Sequence, residues 1–350
     1  FEAGGANPLG LTKFEKRGVA LRVPVWDSEQ CVGCNECSVV CPHAVIRPFL
    51  FTAEEAAARP SMVTKDAKGK NAGLRFRMQV SPYDCTGCTI CTTACKHDAL
   101  RMAPFESQKG EQENWDYCLS VPNKAGRVAR NTLVGSQFYQ PLLEFSGCCE
   151  GCSETAYVKM LTQLFGERLV IANASGCSSV WGGTWGMVPY TTNAEGYGPA
   201  WCNSLFEENA EFGFGMAKAN SHRRELLREY LAQLDLARHA ALKDDVEFWL
   251  ANYGDAERVL TVAHRLRLAL EAEVARERAD AARDDAALLG AYENRDQLNI
   301  LSHWAIGGDG WAYDINFQGL DHVLTLGADV NIIVLDTEVY SNTGGQKSKA

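Results

Sequence analysis

The chain has 350 residues, a formal net charge of −10 and a hydrophobic content of 46%. This length predicts about two to three domains, and the negative charge argues against a nucleic-acid-binding surface. Fourteen cysteines, no recognisable secretory signal and no long apolar run argue against a membrane span and predict metal chemistry in a reducing, cytoplasmic setting.

Residues 1–110 contain two copies of one cysteine spacing. Cys-x-x-Cys-x-x-Cys-x-x-x-Cys occurs at 31–41 and again at 85–95. This spacing is typical of bacterial ferredoxins with two 4Fe–4S clusters, in which the fourth cysteine of each run binds the other cluster. One cluster is therefore expected on Cys31, Cys34, Cys37 and Cys95. The second is expected on Cys85, Cys88, Cys91 and Cys41.

The rest of this segment predicts a small α+β, ferredoxin-like two-cluster domain. Short extended segments at 21–26 and 74–80 precede the two cysteine runs, and residues 54–58 favour a short helix. Zinc is a poor alternative because a zinc site usually takes four ligands arranged in pairs, and this segment has two identical sets of four. Disulfides are a poor alternative because they require an oxidising compartment. Residues 111–140 are polar and are predicted to form a connector.

Residues 141–350 predict an α/β domain with a parallel sheet, incomplete at its C-terminus. A short buried strand is expected at 169–171. Residues 217–297 are rich in Ala, Leu, Glu and Arg, which predicts an inserted hairpin of two long helices with a break near Gly254. Residues 304–336 predict a strand, a glycine-rich turn, a helix and a strand.

A third group of cysteines follows the connector. Cys149 and Cys152 form a Cys-x-x-Cys pair, and Cys177 lies in a second glycine-rich stretch. Three cysteines suggest a further metal site, but a 4Fe–4S cluster normally takes four thiolates. Buried structural cysteines are the alternative interpretation. The open candidates for a fourth ligand are Cys118, Cys148 and Cys202.

The βαβ segment carries a motif suited to a diphosphate and Mg²⁺. Residues 307–311, Gly-Gly-Asp-Gly-Trp, follow a predicted strand and precede a helix, so glycines can bring the backbone to a diphosphate at the helix N-terminus. Asp309 can bind Mg²⁺, which prefers oxygen ligands. Residues 337–342 follow the next strand, and the carboxyl ends of parallel strands meet at one edge. The dinucleotide and P-loop glycine patterns are absent here.

Taken together, these motifs resemble the C-terminal portion of the pyruvate:ferredoxin (flavodoxin) oxidoreductase family. The resemblance is carried by the two cysteine runs and by residues 146–155, 174–179, 209–213, 307–314 and 336–346. The helical residues 217–297 contribute little to it.

The resemblance implies thiamine diphosphate, Mg²⁺ and three 4Fe–4S clusters in the complete enzyme. Cys149, Cys152 and Cys177 would bind the third cluster. Asp309, Thr337 and the carbonyl of Val339 would bind Mg²⁺. Asn342 and Glu154 would be catalytic residues. The implied cofactor contacts are Glu154, Cys177, Gly308, Asp309, Gly310, Trp311, Thr337, Glu338, Val339, Tyr340, Ser341 and Asn342.

The implied activity is oxidative decarboxylation of pyruvate to acetyl-CoA and CO2, with electrons passed through three clusters to ferredoxin or flavodoxin. A cytoplasmic homodimer is expected. Because the sequence begins at Phe1 and stops at Ala350, we expect a piece of a longer protein that lacks the pyruvate and coenzyme A regions. The isolated chain is therefore expected to be inactive.

Three alternatives to this activity stay open. The chain could be an electron-transfer iron–sulfur subunit without catalysis of its own, or a structural iron–sulfur module of another complex. It could also belong to an oxidoreductase for a different 2-oxoacid. Thiamine binding separates the first two alternatives from the catalytic one.

Overall fold

Two antiparallel sheets hold the cysteine loops of the N-terminal domain. The structure is a computed structural model that describes residues 6–279 and 285–349. Phe1, Ala350 and residues 280–284 of the predicted helical segment lie outside the described residues. The elements are β1 Arg22–Trp26, α1 Glu36–Val39, β2 Ile46–Phe51, α2 Ala53–Ala57, β3 Lys65–Asp66, β4 Arg75–Val80, α3 Ile90–Ala94, β5 Leu100–Pro104, α4 Glu111–Ser120 and α5 Leu133–Ser136.

A strand–loop–helix–strand unit occurs twice in this domain. Strand β1 pairs with β5 and strand β2 with β4, both antiparallel, so each cysteine loop joins a strand of one sheet to a strand of the other. This exchange brings the end of each cysteine run beside the other run. The predicted extended segments before the cysteine runs are confirmed as β1 and β4.

Part of the predicted polar connector is a helix with one buried face. In α4, Trp115 is fully buried, and its ring centroid lies 6.0 Å from that of Phe49 and 6.2 Å from that of Phe145. The guanidinium of Arg47 stacks on the same ring at 4.9 Å. Residues beyond 110 therefore complete the first hydrophobic core, because a few large side chains bury one face of an otherwise polar segment.

The second domain is built on a four-stranded parallel sheet in the order β7–β6–β8–β9. Its elements are α6 Glu154–Phe165, β6 Leu169–Ala174, α7 Cys177–Gly183, β7 Ala200–Ser204, α8 Asn209–Gln233, α9 Lys243–Ala251, α10 Ala256–Ala279, α11 Ala286–Glu293, β8 Ser302–Gly308, α12 Phe317–Thr325, β9 Asn331–Leu335, β10 Val339–Tyr340 and β11 Gln346–Lys347. Every residue of β6 is buried, as expected for a strand covered on both faces. The predicted parallel α/β architecture is confirmed.

The helical segment differs from the predicted two-helix hairpin. Helix α8 begins at Asn209, before the predicted start, and α9, α10 and α11 follow it. The chain leaves α8 where the carboxylate of Asp235 accepts hydrogen bonds from the N–H groups of Ala237 and Arg238, a local competitor of the helix ladder. The predicted break near Gly254 is confirmed between α9 and α10. These helices share a core that includes Leu227, Trp249 and Leu266, so the described part of the segment is a four-helix unit and the predicted hairpin of two helices was wrong.

Among the residues that the structure describes, no helix is both long and apolar enough to cross a membrane.

Candidate functional site

A cavity of about 130 Å³ lies at the carboxyl edge of the parallel sheet. Strands β6, β8 and β9 end at this edge, as a ligand site of an open α/β sheet requires. The predicted residues that line it are Glu154, Cys177, Gly308, Asp309, Gly310, Trp311, Val339, Tyr340, Ser341 and Asn342. Thr337 and Glu338 are bonded to Asp309 instead of lining the cavity.

Two oxygen–oxygen distances at this edge match the distance between neighbouring magnesium ligands. The Oγ1 atom of Thr337 lies 3.0 Å from Oδ2 of Asp309 and 3.2 Å from the carbonyl oxygen of Val339. Neighbouring ligands of an octahedral Mg²⁺ ion, with bonds of about 2.1 Å, are separated by about 3.0 Å. The residues present therefore fit a Mg²⁺ ion, with Asp309 as its charged ligand.

The loop after β9 is folded around the Asp309 carboxylate. The N–H groups of Thr337 and Glu338 donate to it at 2.9 and 3.0 Å. Glu338 adopts a left-handed backbone conformation with φ 65°, a strained state that is concentrated at functional sites. A Cβ atom at Gly310 would lie 2.2 Å from the ring of Tyr340. Glycine at 310 is thus required for the loop to pack on the turn.

Glu154 places a buried carboxyl group at the same cavity. Trp181 Nε1 donates to its Oε2 at 2.9 Å. Burial, together with the charge of Asp309, raises the pKa of Glu154, although the Trp181 hydrogen bond opposes the shift. A carboxyl group with a raised pKa can hold or release a proton nearer neutrality. Among the described residues that line the cavity, none is Arg, Lys or His, so the protein itself offers an anionic ligand neutral donors, such as the hydroxyls of Ser341 and Thr343.

Cys177 joins the cavity to the third group of cysteines. It is the first residue of α7, and its Sγ lies 3.4 Å from Ser341 Oγ and 4.0 Å from Asn342 Oδ1. Its pKa is raised first by burial and then by the charges of Glu154, Cys152 and Cys149, against a hydrogen bond with Ser341. The structure therefore brings the three predicted cysteines together at one end of the cavity.

The three spare cysteines lie in different surroundings. Cys148 lies beside this group and forms a hydrogen bond with the Cys152 thiol. This hydrogen bond lowers the pKa of Cys148 to about 7. Cys118 is buried with its Sγ 3.9 Å from Met62 Sδ, and Cys202 is exposed on the edge strand β7. A fourth ligand for the third group is not identified by this arrangement.

The N-terminal cysteines are grouped as crossed ligation requires. Four thiols line one small cavity, those of Cys41, Cys85, Cys88 and Cys91. Burial, followed by the charges of Cys41 and Cys88, raises the pKa of Cys85 to about 12, although a backbone hydrogen bond opposes the shift. In the other set, the pKa of Cys37 is raised by burial and then by the charges of Cys31, Cys34 and Cys95. The ligation itself stays a prediction.

These groups fit clusters better than single ions. Over residues 6–279 and 285–349, no three His, Cys, Asp or Glu side chains converge on one ion position. In a 4Fe–4S cluster each thiolate binds a separate iron, so the sulfurs stand further apart than in a zinc site. The hydroxyl of Thr86 lines the second cavity and forms a hydrogen bond with the Cys88 thiol. A hydroxyl in this place suits a thiolate or sulfide acceptor.

Neighbouring groups of cysteines lie close to one another. A Cβ atom at Gly151, between Cys149 and Cys152, would lie 3.5 Å from Cβ of Cys88. The charge of Cys37 in turn acts on Cys91. A path therefore runs from the cavity through the third group and the second set to the loop at Cys31.

Sequence reasoning missed several residues of these sites, and Lys159 is the clearest. Helix α6 buries Thr155, Val158, Lys159 and Thr162, positions spaced as one face of a helix. A lysine within such a stripe is the signal that could have identified it. Thr86 and Trp181 give no comparable signal, because their roles depend on contacts across the fold.

The fold and the cysteine groups are those expected of an iron–sulfur protein in which a two-cluster domain is joined to a parallel α/β domain. The family profile of the 4Fe-4S dicluster domain matches residues 30–99, which places both N-terminal cysteine runs inside that domain.

Over its whole length the chain is homologous to a segment of larger pyruvate oxidoreductases. It is 51% identical over 356 residues to the pyruvate:ferredoxin oxidoreductase of Moorella thermoacetica, covering 100% of this chain and 30% of the relative. It is 47% identical over 363 residues to the pyruvate-flavodoxin oxidoreductase of Enterobacter agglomerans, covering 99% and 30%. The mitochondrial pyruvate dehydrogenase [NADP(+)] of Euglena gracilis is 50% identical over 351 residues, covering 99% and 19%.

These similarities confirm the resemblance found in the sequence. They also define its extent, because the chain spans less than a third of the length of these relatives.

Proposed function

We propose that this chain is the iron–sulfur and thiamine-diphosphate-binding part of an enzyme that oxidatively decarboxylates pyruvate to acetyl-CoA and CO2. The observation that carries the proposal is one cavity at which a magnesium-spaced oxygen triad and a cysteine meet. The triad consists of Asp309, Thr337 and Val339, and Cys177 Sγ lies 4.0 Å from Asn342 at the same cavity.

Each residue has a chemical role in this proposal. Bound thiamine diphosphate would supply the nucleophile for the 2-oxo carbon and the electron sink for decarboxylation. Asp309, Thr337 and Val339 would hold the diphosphate through Mg²⁺, with Gly308 to Trp311 and residues 337–342 along it. Glu154 would hold a proton beside the cofactor. Asn342 would donate or accept a hydrogen bond at the reacting end.

The third group of cysteines would take electrons from the cavity through its member Cys177. The close approach of Gly151 to Cys88, and the charge interaction of Cys37 with Cys91, support a relay through two further clusters. The Cys31 loop, where Val32 is 45% exposed, would deliver the electrons to a carrier outside the chain. That carrier would be ferredoxin or flavodoxin, after the names of the relatives.

The remaining parts of this proposal concern the complete protein. The complete protein would be a homodimer in the cytoplasm. Its pyruvate and coenzyme A would be bound by segments beyond this chain. The cavity supports that division, since no cationic side chain among its described lining residues is available for the carboxylate of a 2-oxoacid. A different 2-oxoacid would require a different cation-bearing segment and leave this cavity unchanged.

The test is pyruvate-dependent reduction of methyl viologen by the complete protein, with coenzyme A, thiamine diphosphate and Mg²⁺. Reduction that disappears in Cys177→Ala, while thiamine diphosphate still binds, supports the proposal. Absence of thiamine diphosphate binding, with clusters that dithionite still reduces, would favour an electron-transfer subunit without catalysis. Activity with another 2-oxoacid and none with pyruvate would correct the substrate.

A further inference from the structure

Lys159 of helix α6 inserts its ammonium group into the N-terminal domain. Its side chain is 1% exposed. The Nζ atom donates to the carbonyl oxygens of Ser38, Val39 and Cys41, the last two at 3.1 and 3.2 Å. These carbonyls lie at the C-terminal end of α1, where a helix presents partial negative charge. The contact therefore joins the parallel α/β domain to the segment between two predicted cluster ligands.

This buried charge has no carboxylate partner. Across the described residues, no aspartate or glutamate forms an ion pair with Lys159, and Arg47, the other cation that acts on it, is paired with Glu144. Three carbonyl oxygens accept hydrogen bonds from Nζ and favour the ammonium form. An isolated buried ammonium is costly unless an opposite charge compensates it. The anionic neighbours that the structure provides are the cysteine thiolates.

The two cysteines whose charges act on Lys159 belong to different sets. Cys37 is grouped with Cys31, Cys34 and Cys95, whereas Cys41 lines the cavity of Cys85, Cys88 and Cys91. One cation on the short segment between them therefore acts on both clusters. A cluster that accepts one electron gains one negative charge, and no bond forms or breaks. A cation buried beside both clusters stabilises that added charge with little screening by solvent.

We propose that Lys159 is a positioning residue that serves as a shared counter-ion of the two N-terminal 4Fe–4S clusters and raises the reduction potential of both. Net charge and hydrogen bonding near a cluster are the protein's means of setting its potential. The same ammonium ties the cluster domain to α6, the helix that begins at Glu154 beside the cofactor cavity. The clusters and the cavity are thereby held in one arrangement.

The experiment is an EPR-monitored redox titration of the cluster-loaded chain, with dithionite as the reductant. Lys159→Gln removes the charge and is expected to lower both midpoint potentials by about 59 mV, a tenfold change in each one-electron equilibrium. Lys159→Arg keeps the charge and should leave both near their original values. Lys65→Gln is the matched control, because half-buried Lys65 donates to carbonyls of Ser28 and Cys31 in the first loop. Lys65→Gln should change the midpoint potential of one cluster only, and by less than Lys159→Gln does.

Unchanged potentials in a Lys159→Gln chain that retains about eight irons would overturn the proposal. So would a shift confined to one cluster. If Gln and a second neutral variant, Lys159→Met, both lose iron, the apo chains decide the question by tryptophan fluorescence and near-ultraviolet circular dichroism. If the apo variants are folded and the Lys159→Arg chain retains its iron, the counter-ion role is supported. Unfolded apo variants would overturn it, since the role would then belong to the fold alone.

Discussion

Asp309 connects the ends of β8 and β9, and its replacement by asparagine tests the candidate metal site most directly. The carboxylate is 1% exposed and accepts from Thr337 N at 2.9 Å, Thr337 Oγ1 at 3.0 Å and Glu338 N at 3.0 Å. Asparagine has nearly the same shape but no charge. One of its terminal atoms is an NH2 donor that cannot accept from the facing N–H groups.

The expected loss follows from these contacts. Hydrogen bonds and metal contacts of a charged group contribute about 1.5–3 kcal/mol each, and an uncharged replacement loses at least one. A loss of about 2–3 kcal/mol corresponds to a roughly 30- to 150-fold weaker Mg²⁺-dependent binding of thiamine diphosphate. Thr337→Val removes a neutral hydroxyl worth about 1 kcal/mol, so a roughly fivefold loss is expected.

The assay is titration of thiamine diphosphate at fixed Mg²⁺, followed by calorimetry and by the fluorescence of Trp311, which lines the cavity. Asp321→Asn, an exposed carboxylate on α12 of the same domain, is the control and should bind as the original chain does. Thermal unfolding without ligand separates loss of affinity from loss of fold. Binding by a folded Asp309→Asn chain within threefold of the original would refute the assignment of Asp309 to the metal.

Three further predictions concern the rest of the chain. Cys41→Ser should damage the cluster of the second cysteine run and spare that of the first, whereas Cys118→Ser should retain about eight irons; loss of the first-run cluster alone would contradict crossed ligation. Fully buried His239 is hydrogen-bonded to Glu273 at 2.6 Å and Asp285 at 3.0 Å, and these bonds outweigh burial and raise its pKa. Its stabilisation is therefore complete below the ordinary histidine pKa and is lost as pH rises through the raised value. His239→Gln should lower the free energy of unfolding by about 2 kcal/mol at pH 6. It should also make the melting temperature depend less on pH. Finally, the chain alone should not reduce methyl viologen with pyruvate, although dithionite should still reduce its clusters; pyruvate-dependent reduction would show that its own cavity suffices.

The sequence predicted the features that depend on local spacing. Two Cys-x-x-Cys-x-x-Cys loops imply clusters because the distance between thiolates on one short loop is set by the chain itself. The Gly-Gly-Asp-Gly turn and residues 337–342 were placed at one sheet edge because parallel strands share a direction. The cavity lined by Asp309 and Asn342 lies at that edge.

The tertiary structure decided the features that depend on packing between distant segments. The α4 helix was hidden in a polar stretch because one buried face, centred on Trp115, is enough to fold it. The described part of the helical segment contains four α-helices because the chain turns at Asp235, after the end of α8, and a shared core forms around Trp249. Lys159 lies 121 residues from Ser38 in sequence, yet donates to its carbonyl. A composition or a spacing cannot determine such a contact, since burial of a charge depends on which surfaces the whole fold brings together.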